Sequence, residues 1–222
     1  MIYLCLNTKA CIMSKYKSDR VIINSSDHNL TFHPYNIMLV LALAGITMLF
    51  LSITVAFIFD RVHHPEVPPI KVPLLFVFNT FVLLASSYSL IQSKKYYIED
   101  NTETYKKFLI LTIILTLIFL FLQIVAWYLL FNNNISLTFN NLASYLYVLS
   151  ALHFVHVIAG IPFLISFYIN ACNKMKEPVG VLIYFSDPFK KLRLRILTLY
   201  WHYLDILWIY LVIFLLVNQF IK

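Results

Sequence analysis

Glycine and cysteine are both scarce, with three of each in 222 residues. Three glycines leave little material for a backbone cradle around phosphate. No P-loop or G-x-G-x-x-G run occurs, and H-E-x-x-H and G-x-S-x-G are absent too. Cys5, Cys11 and Cys172 form no C-x-x-C or C-x-x-x-C pair. That spacing excludes a disulfide framework, a thiolate metal site and a copper site built on two thiolates. Acids are few, and no pair of nearby carboxylates is poised for acid–base work. Charged residues make up 12% of the chain, against about a quarter in a soluble domain. An ordinary soluble enzyme is excluded on that ground, and no catalytic residue is nominated.

Long apolar runs take the place of charge. Hydrophobic residues reach 61%, and a spanning helix needs about 20 apolar residues in a row. Five runs qualify: residues 34–59, 71–92, 108–131, 142–171 and 196–221. They predict an all-α protein, a polytopic transmembrane helix bundle of five spans occupying residues 34–222. Residues 1–33 read as a basic N-terminal extension carrying Lys9, Lys15, Lys17 and Arg20. Its apolar start is too short to span and lacks the pattern of a secretory signal. Pro34 suits the first turn of the first span. The stretches 60–69, 93–107, 132–134 and 172–195 read as loops or turns from their Pro, Asn and charge content. His63 and His64, with Glu66, sit in the first of these and read as a solvated turn. No internal repeat is visible.

The net charge of +7 has a topological cause. With the N-terminus inside, fourteen Lys and Arg lie on the inner side. Only Arg61, Lys71 and Lys222 lie on the outer side. Such asymmetry orients a membrane protein with its basic segments inside, so the N-terminus is predicted inside and the C-terminus outside. No basic soluble module is left over to bind nucleic acid.

Against this apolar background a few polar residues stand out. Asp205 sits within the last run, where a carboxylate at mid-membrane costs roughly 2.5–3.5 kcal/mol. At 100° per residue, Trp201, Asp205 and Trp208 share a stripe, with His202 at its edge and three residues from the acid. This seam is predicted to face protein. Helix-to-helix packing is preferred to a direct chemical role for Asp205. His153, His156 and Gly160 share a face of the fourth run. Metal or haem ligation there needs partners from elsewhere, and histidines hydrogen-bonded across the bundle are the preferred reading. Gln123 is predicted to bond to another helix, for about 1–2 kcal/mol at most. Ala85 and Ser89 fit a small-x-x-x-small contact, and Pro162 a kink.

Two of these motifs together resemble a known family. His153-Phe154-Val155-His156-Val157-Ile158-Ala159-Gly160 is followed by Tyr200-Trp201-His202-Tyr203-Leu204-Asp205-Ile206-Leu207-Trp208. This resembles the H-x-x-H-V-x-x-G and Y-W-H-F-x-D-x-x-W pair of subunit III of the haem–copper oxidases. Val72-Pro73-Leu74-Leu75, Asn79-Thr80, Val82-Leu83-Leu84-Ala85-Ser86 and Leu122-Gln123 resemble further motifs of that family. The likeness covers roughly residues 70–221. The family usually has seven spans, so residues 35–59 stand for its third helix. In the family that helix carries a buried glutamate, and another glutamate stands shortly after L-L-Q. This chain has no acid in 34–59 and has Ala126 and Trp127 at the later place. No proton role transfers to those positions.

The resemblance implies a subunit with no metal or haem of its own, packed beside catalytic subunit I and other oxidase subunits. Haem a and copper lie in that neighbour, where cytochrome c reduces oxygen and protons are pumped. Structural phospholipids are implied as well. His153, His156, Gly160, Trp201, His202, Asp205, Trp208 and Gln123 then serve as packing residues of the seam. Lysine outnumbers arginine 13 to 4, the bias of AT-rich coding. It points to an organelle gene, hence the mitochondrial inner membrane, with the inside face in the matrix. Two other readings stand beside this one. A quinol oxidase subunit III has the same motifs. An independent proton-coupled carrier needs a water path and, commonly, an inverted repeat.

Orientation is directly testable. In sealed vesicles of native orientation, a cysteine added after Lys222 is expected to react with an impermeant maleimide from outside. One added before residue 10 is expected to react only after permeabilisation. The reverse pattern contradicts the charge argument.

Overall fold

A backbone in hydrocarbon has no water to bond with, so apolar runs of this length must satisfy themselves as α-helices. The computed structural model describes residues 34–64, 73–133, 141–174, 181 and 188–220, which hold five long helices and no strand. They are α1 (Pro34–His63), α2 (Leu74–Ile98), α3 (Thr102–Asn132), α4 (Asn141–Lys174) and α5 (Pro188–Phe220). All five are long and apolar enough to cross a membrane. The basic extension 1–33 and Glu66 lie outside the described residues. The chain divides into two units, Met1–Ala42 and Leu43–Lys222. In the first, residues 34–42 are helical.

The helices run beyond the apolar stretches that announce them. Residues 93–107, expected as a loop, are almost wholly helical. α2 continues through Lys94 and Lys95 to Ile98, and α3 begins four residues later. Lysine is a good helix former, and charge stops a helix from being apolar without stopping it from being a helix. The turn between them is short because both ends are capped. Asp100 takes the left-handed conformation at φ 54°, and the Asn101 N–H bonds back to the Tyr96 carbonyl. This is the hydrogen-bonding pattern that ends helices in a left-handed residue. The Asn101 side chain at once accepts from the Thr104 N–H at 3.1 Å and starts α3. α5 likewise starts at Pro188, well before the run at 196, with Leu192 and Leu194 buried and Lys191, Arg193 and Arg195 outward. α4 continues unbroken through Pro162.

α2 and α3 pack as an antiparallel pair. The inward residues of α2 include Phe76, Asn79, Leu83, Ser86, Leu90, Ser93 and Tyr97. Those of α3 are Tyr105, Leu109, Thr112, Thr116, Phe119, Gln123, Ala126 and Leu130. Both follow alternating steps of three and four, the repeat of a left-handed coiled pair. Small hydroxylated side chains let the backbones approach. Ser86 Oγ lies 3.3 Å from Thr116 Oγ1, and Ser89 Oγ donates to the Phe108 carbonyl at 2.9 Å. Ala85, expected in this contact beside Ser89, faces outward instead, and Ser86 takes its place. One residue is 100° of rotation, and only the neighbouring helix fixes which small side chain points in.

α3 packs in turn on α4, α4 on α5, and α5 on α2, so these four helices close a ring. From Leu43 onward α1 leans on the ring's outside. Phe57 meets Tyr145 and Phe214 edge-on, and the Tyr203 hydroxyl lies 2.8 Å from Thr47 Oγ1.

Ser86→Leu is expected to wedge α2 from α3 and to destabilise the bundle by about 1–3 kcal/mol, the usual cost of overpacking. Thermal or dodecyl sulfate unfolding of the detergent-solubilised chain, beside Ala85→Leu on the outward face, measures it. The Ala85 variant is expected to unfold as the parent does.

Candidate functional site

The seam on α5 points inward. Trp201, Asp205 and Trp208 are exposed by only 1%, 4% and 0%, while His202 sits at the edge, half-buried. His202 Nδ1 lies 3.5 Å from Asp205 Oδ2 and 2.7 Å from Ser87 Oγ on α2. The imidazole is thus anchored between its own helix and the next. The Asp205 contact is within ion-pair reach but longer than a strong hydrogen bond. Which atom carries the proton depends on the histidine tautomer. In every arrangement the carboxylate is buried with one imidazole beside it. Breaking such a buried pair by removing one partner costs about 3–5 kcal/mol.

One turn further, Trp208 ties three helices to α5. Its Nε1–H donates to Thr80 Oγ1 on α2 at 3.2 Å. Its ring stacks on Phe76 at 5.8 Å and 11°, and meets Phe119 of α3 edge-on at 5.2 Å. From α4, His153 lies against it at 4.8 Å. His153 is wholly buried, also meets Phe119 edge-on, and neither ring nitrogen has a hydrogen-bond partner among the described residues. It packs as an aromatic ring. The expected hydrogen bond across the bundle is not what holds it. His156 differs as well, because its Nδ1 pairs with the Leu152 carbonyl of its own helix at 2.7 Å. Its backbone carbonyl makes the cross-helix bond, accepting from the Tyr200 hydroxyl at 2.8 Å.

Gly160 explains how α4 and α5 come so close. A Cβ there would stand 2.8 Å from Trp201 Cζ3 and 3.1 Å from Tyr200 Cε1. The indole occupies the space a side chain would need. Gln123 is fully buried and accepts from Asn79 Nδ2 at 3.0 Å, the bond to another helix that its position in α3 predicts. A turn away, Trp127 Nε1 donates to Ser150 Oγ at 3.0 Å. Among the described residues no three His, Cys, Asp or Glu side chains gather as a metal-ligand set. His63 ends α1 with its Nδ1 2.9 Å from the Phe59 carbonyl, and His64 lies 3.9 Å from Asp60.

Several partners of the seam were not singled out from the sequence for this role: Ser87, Thr80, Tyr200 and Tyr203. A signal for the first two exists. Thr80 and Ser87 are seven apart, so they share a helical stripe, and both touch α5. Asn79, Ser86 and Ser93 repeat at the same interval one residue earlier, and face α3. The structure gives α2 a share in the seam, through Ser87 and Thr80.

What the fold and seam define is a bundle of long apolar helices whose buried polar side chains meet from helix to helix. Comparison with known proteins narrows the class. The sequence profile of cytochrome c oxidase subunit III matches residues 37–219, and the chain belongs to that family. It is similar to the cytochrome bo(3) ubiquinol oxidase subunit 3 of Buchnera aphidicola subsp. Baizongia pistaciae, 33% identical over 145 residues. That match covers 62% of this chain and 66% of the relative. It is also similar to the cytochrome c oxidase subunit 3 of Tachyglossus aculeatus aculeatus, 29% identical over 64% of this chain and 49% of that one. A probable quinol oxidase subunit 3 of Staphylococcus saprophyticus is 27% identical over 64% of this chain and 65% of its own length. The matches thus span about two-thirds of the quinol oxidase subunits and about half of the longer cytochrome c oxidase subunit. Subunit III of a haem–copper oxidase is therefore the class, and the chain is a multi-pass membrane protein, with five helices among the described residues long and apolar enough to span.

Gly160→Ala is expected to force Trp201 from its seat and destabilise the bundle by about 1–3 kcal/mol. Gly45→Ala, at a glycine with open space around it, is the control and is expected to be neutral. Trp201→Phe in the Gly160→Ala background is expected to restore part of the loss. Unfolding in mild detergent measures all three.

Proposed function

We propose that this chain is a non-catalytic core subunit of a respiratory oxidase, mitochondrial cytochrome c oxidase in the first reading. It supports assembly and stability of the complex while the neighbouring catalytic subunit moves electrons from cytochrome c to oxygen and pumps protons. Haem a and copper belong to that neighbour, and structural phospholipids fill the contacts between them. The observation that best supports this role is the way the described polar side chains of the seam are used. Asp205, His202, Ser87, Trp208, Thr80, Gln123 and Asn79 are spent on one another, helix to helix. Residue usage, lysine over arginine, supports the organelle and thus the mitochondrial inner membrane.

A second reading is favoured by a specific observation. Quinol oxidase subunits from bacteria match this chain over a larger share of their own length than the mitochondrial-type subunit does. Their size suits a five-span chain, and the electron donor is then a quinol in a bacterial membrane. The oxygen chemistry of the neighbour and the packing role of this chain are the same in both.

One purification tests these readings. A tagged chain extracted in mild detergent is expected to bring down a haem–copper oxidase. A haem a spectrum with cytochrome c turnover supports the first reading, and quinol turnover without cytochrome c oxidation the second. Asp205→Ala is expected to reduce the haem recovered per tagged chain several-fold, because His202 loses one of its two partners inside the membrane. A haem-free chain that moves a solute in vesicles overturns both readings.

A further inference from the structure

The imidazole of His202 has two faces to satisfy, and the chain satisfies one. Nδ1 is held by Ser87 and Asp205, which fixes the ring between α2 and α5. Among the described residues Nε2 has no hydrogen-bond partner, and 35% of the side chain stays exposed. The contacts Ser87 to His202 and Thr80 to Trp208 set α2 and α5 antiparallel and in register. Helical register puts the side chains three and four residues from Ser87 and from His202 on the outward flank of this contact, here called the α2–α5 groove. Leu84 and Ile91, exposed at 43% and 46%, line its α2 wall. Leu199 and Ile206, exposed at 48% and 67%, line its α5 wall. His202 is the polar point between these apolar rows.

Its depth limits what can reach it. Arg195, outward-facing on the same stripe of α5, is the last basic residue before the apolar run. His202 is seven residues further in, about 10 Å along the helix axis. Asp205 and Ser87 hold the ring in place, so it does not swing out toward the headgroups. Acyl chains offer no hydrogen bond, and an unmet polar group in hydrocarbon is costly. We propose that the α2–α5 groove is the docking surface for a transmembrane helix of a neighbouring oxidase subunit. That helix places a hydroxyl or carboxamide side chain against His202 Nε2. Either group donates or accepts, so it serves both tautomers of the ring. The apolar walls supply the contact area, and the polar point sets register, as such groups do between membrane helices. This rests on the chain being an oxidase subunit.

The test is photocrosslinking in intact membranes, with a benzophenone amino acid at Ile206 and, as control, at Tyr128. Tyr128 is equally outward, at 66%, but lies on α3. The Ile206 probe is expected to crosslink one oxidase subunit, in a peptide containing a transmembrane helix with Ser, Thr, Asn or Gln. The Tyr128 probe is not expected to reach that helix. His202→Phe is expected to cut the Ile206 product about tenfold, and His202→Gln to keep most of it. If His202→Phe fails to accumulate, the product in the parent chain still decides. Lipid adducts alone, in a preparation that retains haem, overturn the docking surface and leave the subunit role standing. A product joining two copies of this chain overturns it as well. A chain recovered without any oxidase overturns both.

Discussion

A carboxylate inside hydrocarbon must find a partner, since neither water nor lipid tails can serve it. In this chain Asp205 finds His202 on its own helix, and His202 finds Ser87 on α2. Much of the bundle can be understood as geometry that keeps those three residues together. α5 must present one stripe to α2, which turns Trp208 toward Thr80, Phe76 and Phe119. With Trp208 and Trp201 turned inward, α4 can approach only where it has no side chain, at Gly160. Buried Asp205 thus constrains three helices at once.

α2 is the element through which this constraint spreads. It carries two polar stripes a residue apart. Asn79, Ser86 and Ser93 face α3, while Thr80 and Ser87 face α5. Serine and threonine suit both jobs, because they are small enough for close backbone approach and polar enough to bond across it. Lipid tails are as apolar as leucine, so burying leucine between helices gives little preference for one face over another. Hydrogen bonds and close van der Waals fit provide that preference. Removing the stripes would leave helices that insert but lack a defined neighbour.

Histidine shows how one residue type serves three ends within this frame. His153 packs as a ring between Phe119 and Trp208. His156 caps its own helix carbonyl and sits 6.3 Å from Phe50. His202 alone combines an anchored nitrogen with an outward one. No sequence rule separates them, since all three lie in apolar helices at helical spacing.

The sequence by itself determined a good deal. Apolar run length dictates five helices, because hydrocarbon tolerates no unpaired backbone and about 20 residues cross it. The inward stripe of Trp201, Asp205 and Trp208 follows from 3.6-residue geometry and the cost of a charge in lipid. The motifs that place the chain beside the oxidase subunits are contiguous and need no folding to be read. Helix ends were not legible from hydropathy, because Lys94, Lys95 and Lys191 are helical without being apolar. Nor was the neighbour of each face. A chain that is apolar all round has no amphipathic signal to separate protein from lipid. Whether Ala85 or Ser86 turns inward, whether His153 bonds or stacks, and whether His202 meets α2 or α4 are questions of tens of degrees of rotation. Packing against a second helix fixes those degrees, and only the tertiary structure contains that helix.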